Sequence, residues 1–133
     1  MLAITSKSPY AVRALTELAR RGNAGPVPIG EIARQRAIPV QFLEGLFATL
    51  RRAGILQSQR GVKGGYLFAR RPEEVTVLEV VEALDGALGA DAEAAGPVWV
   101  DAADALRRQL DGVTIRDVAE REARAAGAAM YHI

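Results

Sequence analysis

Apolar positions recur with helical spacing four times in the first ninety residues. Ala11, Ala14, Leu15 and Leu18 line one face of a first helix. Ser6 or Ser8 offers its N-cap, Pro9 sits in a first turn that needs no N–H, and Gly22 followed by Asn23 ends it. Beyond Gly25, Pro26 and Pro28, a short second helix would bury Ile29, Ile32 and Ala33. Ala37-Ile38-Pro39 is a tight break, because the residue before a proline is pushed out of the helical region. A third helix is predicted over residues 40–53, with Leu43, Leu46, Phe47 and Leu50 at i, i+3, i+4 and i+7 facing a core. At about 100° per residue, Gln41, Glu44, Gly45 and Ala48 fall on its other side. Gly54 stops it.

The period then drops to two. Residues 55–59 and 66–69 are strand candidates, joined by Arg60-Gly61-Val62-Lys63-Gly64-Gly65, whose glycines permit the positive φ of a hairpin tip. Thr76 and Glu79 spell a capping box for a helix with Val77, Val80, Val81 and Leu84 inward, closed by Asp85-Gly86. Residues 87–97 carry no periodic stripe and read as a flexible connection. Trp99, Ala103, Leu106 and Leu110 mark an amphipathic helix with Asp101, Asp104, Arg107 and Arg108 opposite. Thr114 and Asp117 open a last helix to about residue 127. The expected organisation is a winged domain over 1–86, the connection over 87–97, and a dimerisation helix with a C-terminal helix over 98–133.

Charge sharpens the pattern. The 133 residues carry a net +1, yet residues 1–72 hold twelve Lys/Arg against three acids, and residues 73–133 hold five against thirteen. The halves are therefore +9 and −8, which suits a first half that faces a polyanion. With no cysteine there is no disulfide, thiolate zinc site or cysteine-ligated cluster. No apolar run approaches a membrane span and the start lacks the order of a signal peptide, so a soluble cytoplasmic protein without cofactor is expected. The sequence holds no G-x-S-x-G, phosphate loop or histidine pair, and His132 reads as a tail residue, which argues against an enzyme.

Helix, helix, tight turn, helix and glycine-rich wing is the order of a mainly α winged helix-turn-helix, whose third helix can enter a major groove of double-stranded DNA. Gln41 can pair with an adenine edge, Glu44 can accept from a cytosine amino group, and Gly45 and Ala48 keep the surface low. Arg51, Arg52, Arg60 and Lys63 would meet phosphates or a minor groove. Each residue alone also fits a solvated helix face or a simple loop. A winged-helix module that binds protein instead is the rival reading, and it predicts an apolar or acidic outer face on the third helix.

These segments resemble the Rrf2 family of bacterial transcription regulators. The likeness is carried by Tyr10-Ala11-Val12-Arg13-Ala14-Leu15, Glu31-Ile32-Ala33, Phe42-Leu43-Glu44-Gly45-Leu46-Phe47, Leu50-Arg51-Arg52-Ala53-Gly54-Ile55-Leu56, Arg60-Gly61-Val62-Lys63-Gly64-Gly65-Tyr66 and Pro72-Glu73-Glu74-Val75-Thr76. The resemblance implies a homodimeric DNA-binding regulator, a repressor, on a pseudo-palindromic operator. Its base-reading positions fall on Gln41 and Glu44, its wing arginine on Arg60, and its pairing helix on the Trp99, Ala103, Leu106 and Leu110 stripe. Two departures stand out. The three cysteines that many members use to hold an iron–sulfur cluster are missing from residues 86–106, which implies the cluster-free branch. Val62 and Lys63 replace the usual start of a Pro-Gly-Gly-Gly tip. A small-molecule or protein effector is left open. One place for it is a pocket among the helix from Thr76, the connection and the pairing helix, with Arg107 or Arg108 facing an anion or pairing with Asp104 or Asp111.

Overall fold

The computed structural model describes residues 4–22 and 24–131. The chain runs α1 (Lys7–Arg20), α2 (Ile29–Arg36), α3 (Val40–Arg52), β1 (Leu56–Gln59), β2 (Gly65–Phe68), a 3-10 turn (Pro72–Glu74), α4 (Val77–Asp85), α5 (Ala92–Ala95), α6 (Pro97–Asp111) and α7 (Ile115–Tyr131). The strands pair antiparallel, with Leu56 opposite Phe68 and Gln59 opposite Gly65. Asn23 and His132 lie outside the described residues.

The stripes predicted for the first three helices meet in one core. Ala11, Ala14, Leu15 and Leu18 of α1, Ile32 and Ala33 of α2, and Leu43, Leu46, Phe47 and Leu50 of α3 are all buried there, with Ile55, Val80 and Ile115. Ser6 holds the N-cap position of α1 without a side-chain cap bond. Ser8, the other expected cap, is buried and donates to Asp85 Oδ2 at 2.6 Å. That bond, with a second from Thr5 to Oδ1 at 2.6 Å, ties the start of α1 to the end of α4. Burial disfavours the Asp85 charge, but the two hydroxyl donors more than offset it and hold the carboxyl below its usual range.

Both capping boxes form, and they stand side by side. Glu79 N–H donates to Thr76 Oγ1 at 3.1 Å, and Asp117 N–H donates to Thr114 Oγ1 at 3.1 Å. Backbone bonds from Val77 to Val113 at 2.8 Å and from Ile115 to Val75 at 2.9 Å join the two helix starts, so α7 returns onto α1. α4 lies between two apolar clusters, which is why Leu78 is buried beside Val80 and Val81 while Val77 and Leu84 stay half-buried.

Residues 87–97 contain more structure than their lack of periodicity suggested. α5 is a single helical turn, and Leu88 and Ala92 are buried. Leu88 joins Leu78 and Val81 in the second cluster, against Leu106 and Leu110 of α6. Gly89 approaches Ala103 so closely that a Cβ at residue 89 would sit 2.5 Å from the Ala103 methyl.

Candidate nucleic-acid interface

α3 is buried on one face and open on the other. Gln41, Glu44, Gly45, Arg51 and Arg52 are exposed, and Ala48 is half-buried at the margin. Pro39 precedes the helix with extended backbone, and Leu43 N–H closes the first turn onto the Pro39 carbonyl at 3.0 Å. A Cβ on Gly45 would meet open space, so nothing inside this chain requires glycine there. Its effect is to lower the outer surface. A cleft of about 340 Å³ lies along this face, bounded by Gln41, Phe42, Gly45, Thr49, Lys7 and Leu84. Lys7 thus joins the face from the first turn of α1. Sequence reading passed it over, although a lone lysine in the Thr5-Ser6-Lys7-Ser8 start was the available signal.

The wing is fixed to this helix on two sides. Tyr66 of β2 meets Phe47 of α3 edge-on with ring centroids 5.1 Å apart. On its outer edge β2 bonds to residue 27: Val27 N–H donates to the Tyr66 carbonyl at 2.9 Å, and Tyr66 N–H donates to the Val27 carbonyl at 2.8 Å. At the tip, Gly64 N–H closes a turn onto the Gly61 carbonyl at 3.0 Å. Arg60 and Lys63 are exposed there, flanking a Val62 that stands fully in solvent at 105%.

Ion pairing separates the cations into two groups. Arg20 and Arg36 bind Glu122, Arg21 binds Glu17 and Glu31, Arg70 binds Glu79, and Arg71 binds Glu74. Glu74, Glu79 and Glu122 of the second half thereby neutralise arginines of the first. Lys7, Arg13, Arg34, Arg51, Arg52, Arg60 and Lys63 form no ion pair among the described residues. Arg51, Arg52, Arg60 and Lys63 are those the sequence marked for phosphate. Within the first half, the unneutralised charge is therefore concentrated on α3, the wing and the neighbouring helices, where a polyanion would be held.

The α6 stripe is divided. Trp99 is 45% exposed, with Val98 beside it at 73%. Ala103, expected on an outward pairing face, is buried against Gly89, and Leu106 and Leu110 pack half-buried on the second cluster. The cause is the returning 87–97 segment, which covers the middle of the stripe. Arg107 bonds Glu82 of α4 rather than Asp104 or Asp111, and Glu82 also accepts the Leu88 N–H at 3.1 Å. Leu78, Val81 and Leu88 pack between α4 and α6, in the region that the sequence offers for an effector.

Two packed helices, a tight turn, an exposed helix with a low polar surface and a glycine-tipped wing define a winged helix-turn-helix, a fold with which transcription regulators hold DNA. A family model described as Rrf2, iron-dependent transcriptional regulator, matches residues 4–121, and the chain belongs to that family of DNA-binding transcriptional regulators, not of enzymes. The HTH-type transcriptional regulator IscR of Escherichia coli is 32% identical over 133 aligned residues, covering 91% of this chain and 82% of that protein. The solved structure of CymR, the global cysteine regulator of B. subtilis, matches with a TM-score of 0.79 at 31% identity, covering 91% of this chain and 98% of that one. T. potens IscR matches with a TM-score of 0.80 at 32% identity, covering 93% and 90%.

The iron of the family description finds no fitting ligand set among the described residues. The chain has no cysteine, and among the described residues no group of three His, Cys, Asp or Glu side chains could hold a metal. Likewise no helix among the described residues is long and apolar enough to cross a membrane.

Proposed function

We propose that this chain binds a pseudo-palindromic operator as a homodimer and represses by occupying it, without an iron–sulfur cluster. The observation that carries the reading is the set of unpaired cations flanking an exposed α3. Gln41 and Glu44 read base edges, Gly45 and Ala48 let the helix approach, and Arg51, Arg52, Arg60 and Lys63 hold phosphates. The exposed Val98 and Trp99 at the start of α6 support pairing with a second copy. A dimer seated across two major grooves excludes other proteins from that stretch, hence repression.

The test selects duplexes from a random library with the purified protein and titrates binding against salt. Eight phosphate contacts per dimer would give a slope of log affinity against log salt of about −7. Arg60→Ala should weaken binding to all duplexes and make the slope shallower by about one unit for each phosphate that is no longer neutralised. Gln41→Ala should leave the slope alone and lower the preference for the selected duplex by about 1–3 kcal/mol. A wild-type protein that selects no duplex at low salt would leave the protein-binding module as the better reading.

A further inference from the structure

Besides the buried Ile115, α7 reaches the end of α2 through the side chain of Glu122. Arg36, the last residue of α2, is only 13% exposed in its side chain. Its Nη1 and Nη2 donate to the Glu122 carboxylate at 2.8 Å each, and its Nε donates to Glu17 of α1 at 3.0 Å. A helix end leaves its last carbonyls without internal partners, and here Arg13 Nη2 donates to the Arg36 carbonyl at 2.7 Å. The Arg13 guanidinium lies 5.7 Å from the centroid of the Tyr10 ring, which meets Phe42 of α3 edge-on at 5.4 Å. A connected set of contacts therefore runs from α7, through the side chain and then the backbone carbonyl of Arg36, to the first turn of the exposed helix.

The residue after Arg36 has a crowded backbone conformation. Ala37 has φ 53° and ψ 48°, the one non-glycine at positive φ among the described residues. An L side chain is crowded there, so the conformation persists only because neighbouring contacts impose it. Ile38 N–H bonds the Ala33 carbonyl at 2.9 Å, which closes the turn. Ala37 N–H itself turns back onto the Ala33 and Arg34 carbonyls, and next to these backbone bonds stands the Arg36 cluster, to which α7 supplies two carboxylate oxygens.

We infer that Glu122 is a positioning residue for DNA binding: by clamping Arg36 it holds the strained turn at Ala37, and with it the angle at which α3 leaves α2. The inference rests on the DNA-binding reading above. It makes α7, which bears none of the proposed DNA contacts, a determinant of how well the recognition face is presented. It also gives any contact that shifts α7 a route to the operator.

The test has two readouts. The first needs no DNA. Glu122→Gln keeps the size of the side chain and removes its charge, and should speed amide exchange of Ile38 about three- to tenfold. Replacing the crowded residue, Ala37→Gly, in the same chain should restore slow exchange, because the turn then needs no clamp. The second readout uses a duplex selected by the wild-type protein. Glu122→Gln should weaken that duplex about three- to tenfold while binding to an unrelated duplex and the salt slope stay unchanged, and the added Ala37→Gly should recover the loss. Circular dichroism at the assay temperature confirms that each variant is folded. Unchanged Ile38 exchange in Glu122→Gln overturns the clamp. Faster exchange with undiminished selectivity, or no rescue by Ala37→Gly, overturns the positioning role. A wild-type protein that selects no duplex refutes the DNA-binding reading and the positioning role with it, while the exchange data still decide whether the clamp exists.

Discussion

The wing owes its angle to one glycine, and replacing it gives a sharp test of the packing described above. A Cβ on Gly65 would lie 2.3 Å from both the carbonyl carbon and the oxygen of Val27, and 2.7 Å from the Pro28 nitrogen. All three are backbone atoms, so no rotamer change relieves the clash. Its φ of 153° adds a conformation that L residues rarely adopt. Relief in Gly65→Ala therefore requires β2 to move off residues 27 and 28. That movement breaks the two backbone bonds between Val27 and Tyr66, worth about 1 kcal/mol each. It also disturbs the Tyr66–Phe47 edge contact, worth about 0.5–1.5 kcal/mol. With about 1 kcal/mol for residual backbone strain, the expected loss is about 3–5 kcal/mol. Gly61→Ala is the control: φ is 113°, but a Cβ there meets nothing within 4 Å, so only the backbone term of about 1–2 kcal/mol applies. Urea denaturation followed by far-UV circular dichroism measures both. With a slope of about 1.5 kcal/mol per M, Gly65→Ala should lower the midpoint by about 2–3 M and Gly61→Ala by about 0.7–1.3 M. Equal midpoints for the two variants would refute the claim that the wing is seated by close backbone approach at residue 65.

Two further predictions concern the second half of the chain. Hydrogen bonds from Arg36 hold the Glu122 carboxyl down to about 2, against the cost of burial and with help from Arg20. The shift corresponds to about 3 kcal/mol at full value, which solvent screening reduces to about 1–2 kcal/mol for a side chain 34% exposed. Because the folded value is depressed, this stability is present above the unfolded value of 4.5 and is lost as pH falls toward about 2. The gap in unfolding free energy between wild type and Glu122→Gln should therefore be about 1–2 kcal/mol at neutral pH and less than half that near pH 3; a gap independent of pH would contradict the pairing. Trp99→Glu, which places a charge on the exposed start of α6, should shift sedimentation from dimer to monomer without lowering the unfolding free energy of the monomer by more than about 0.5 kcal/mol, and an unchanged dimer would exclude that end of α6 from the interface.

The parts of this fold that were readable in the sequence are those set by local rules. The α3 stripe is fixed by helical period, the two capping boxes by a residue spacing of three, and the wing by its glycines. What escaped was set by contacts between distant segments. Periodicity says that Ala103 lies on an apolar face; it does not say that residues 87–97 fold back to cover that face. A helix of four residues is too short to show a period, so α5 left no signal. Glu122 and Arg36 are separated by 86 positions, and no spacing rule connects a carboxylate on one helix to a guanidinium on another. Ala37 illustrates a third kind of miss. Its break was predicted from Pro39, but glycine is the residue that sequence rules place at a left-handed turn, and alanine there is intelligible only once the surrounding clamp is seen.

Glu44 is the one carboxylate on an α3 face otherwise left with unpaired arginines. Read as a solvated surface residue, it only opposes binding, because it adds repulsion to every phosphate that Arg51, Arg52, Arg60 and Lys63 attract. Read as a base contact, the same repulsion is useful. A carboxylate can gain hydrogen bonds only from a donor such as a cytosine amino group, and opposite any other base edge it remains desolvated and unpaired. On the proposed reading the cations of α3 and the wing would supply attraction that is blind to sequence, and a residue that penalises wrong sequences would convert that attraction into selectivity. The open space around Gly45, one position further along the helix, fits the same proposal: it would let the backbone come close enough for the Glu44 carboxylate to reach the groove floor.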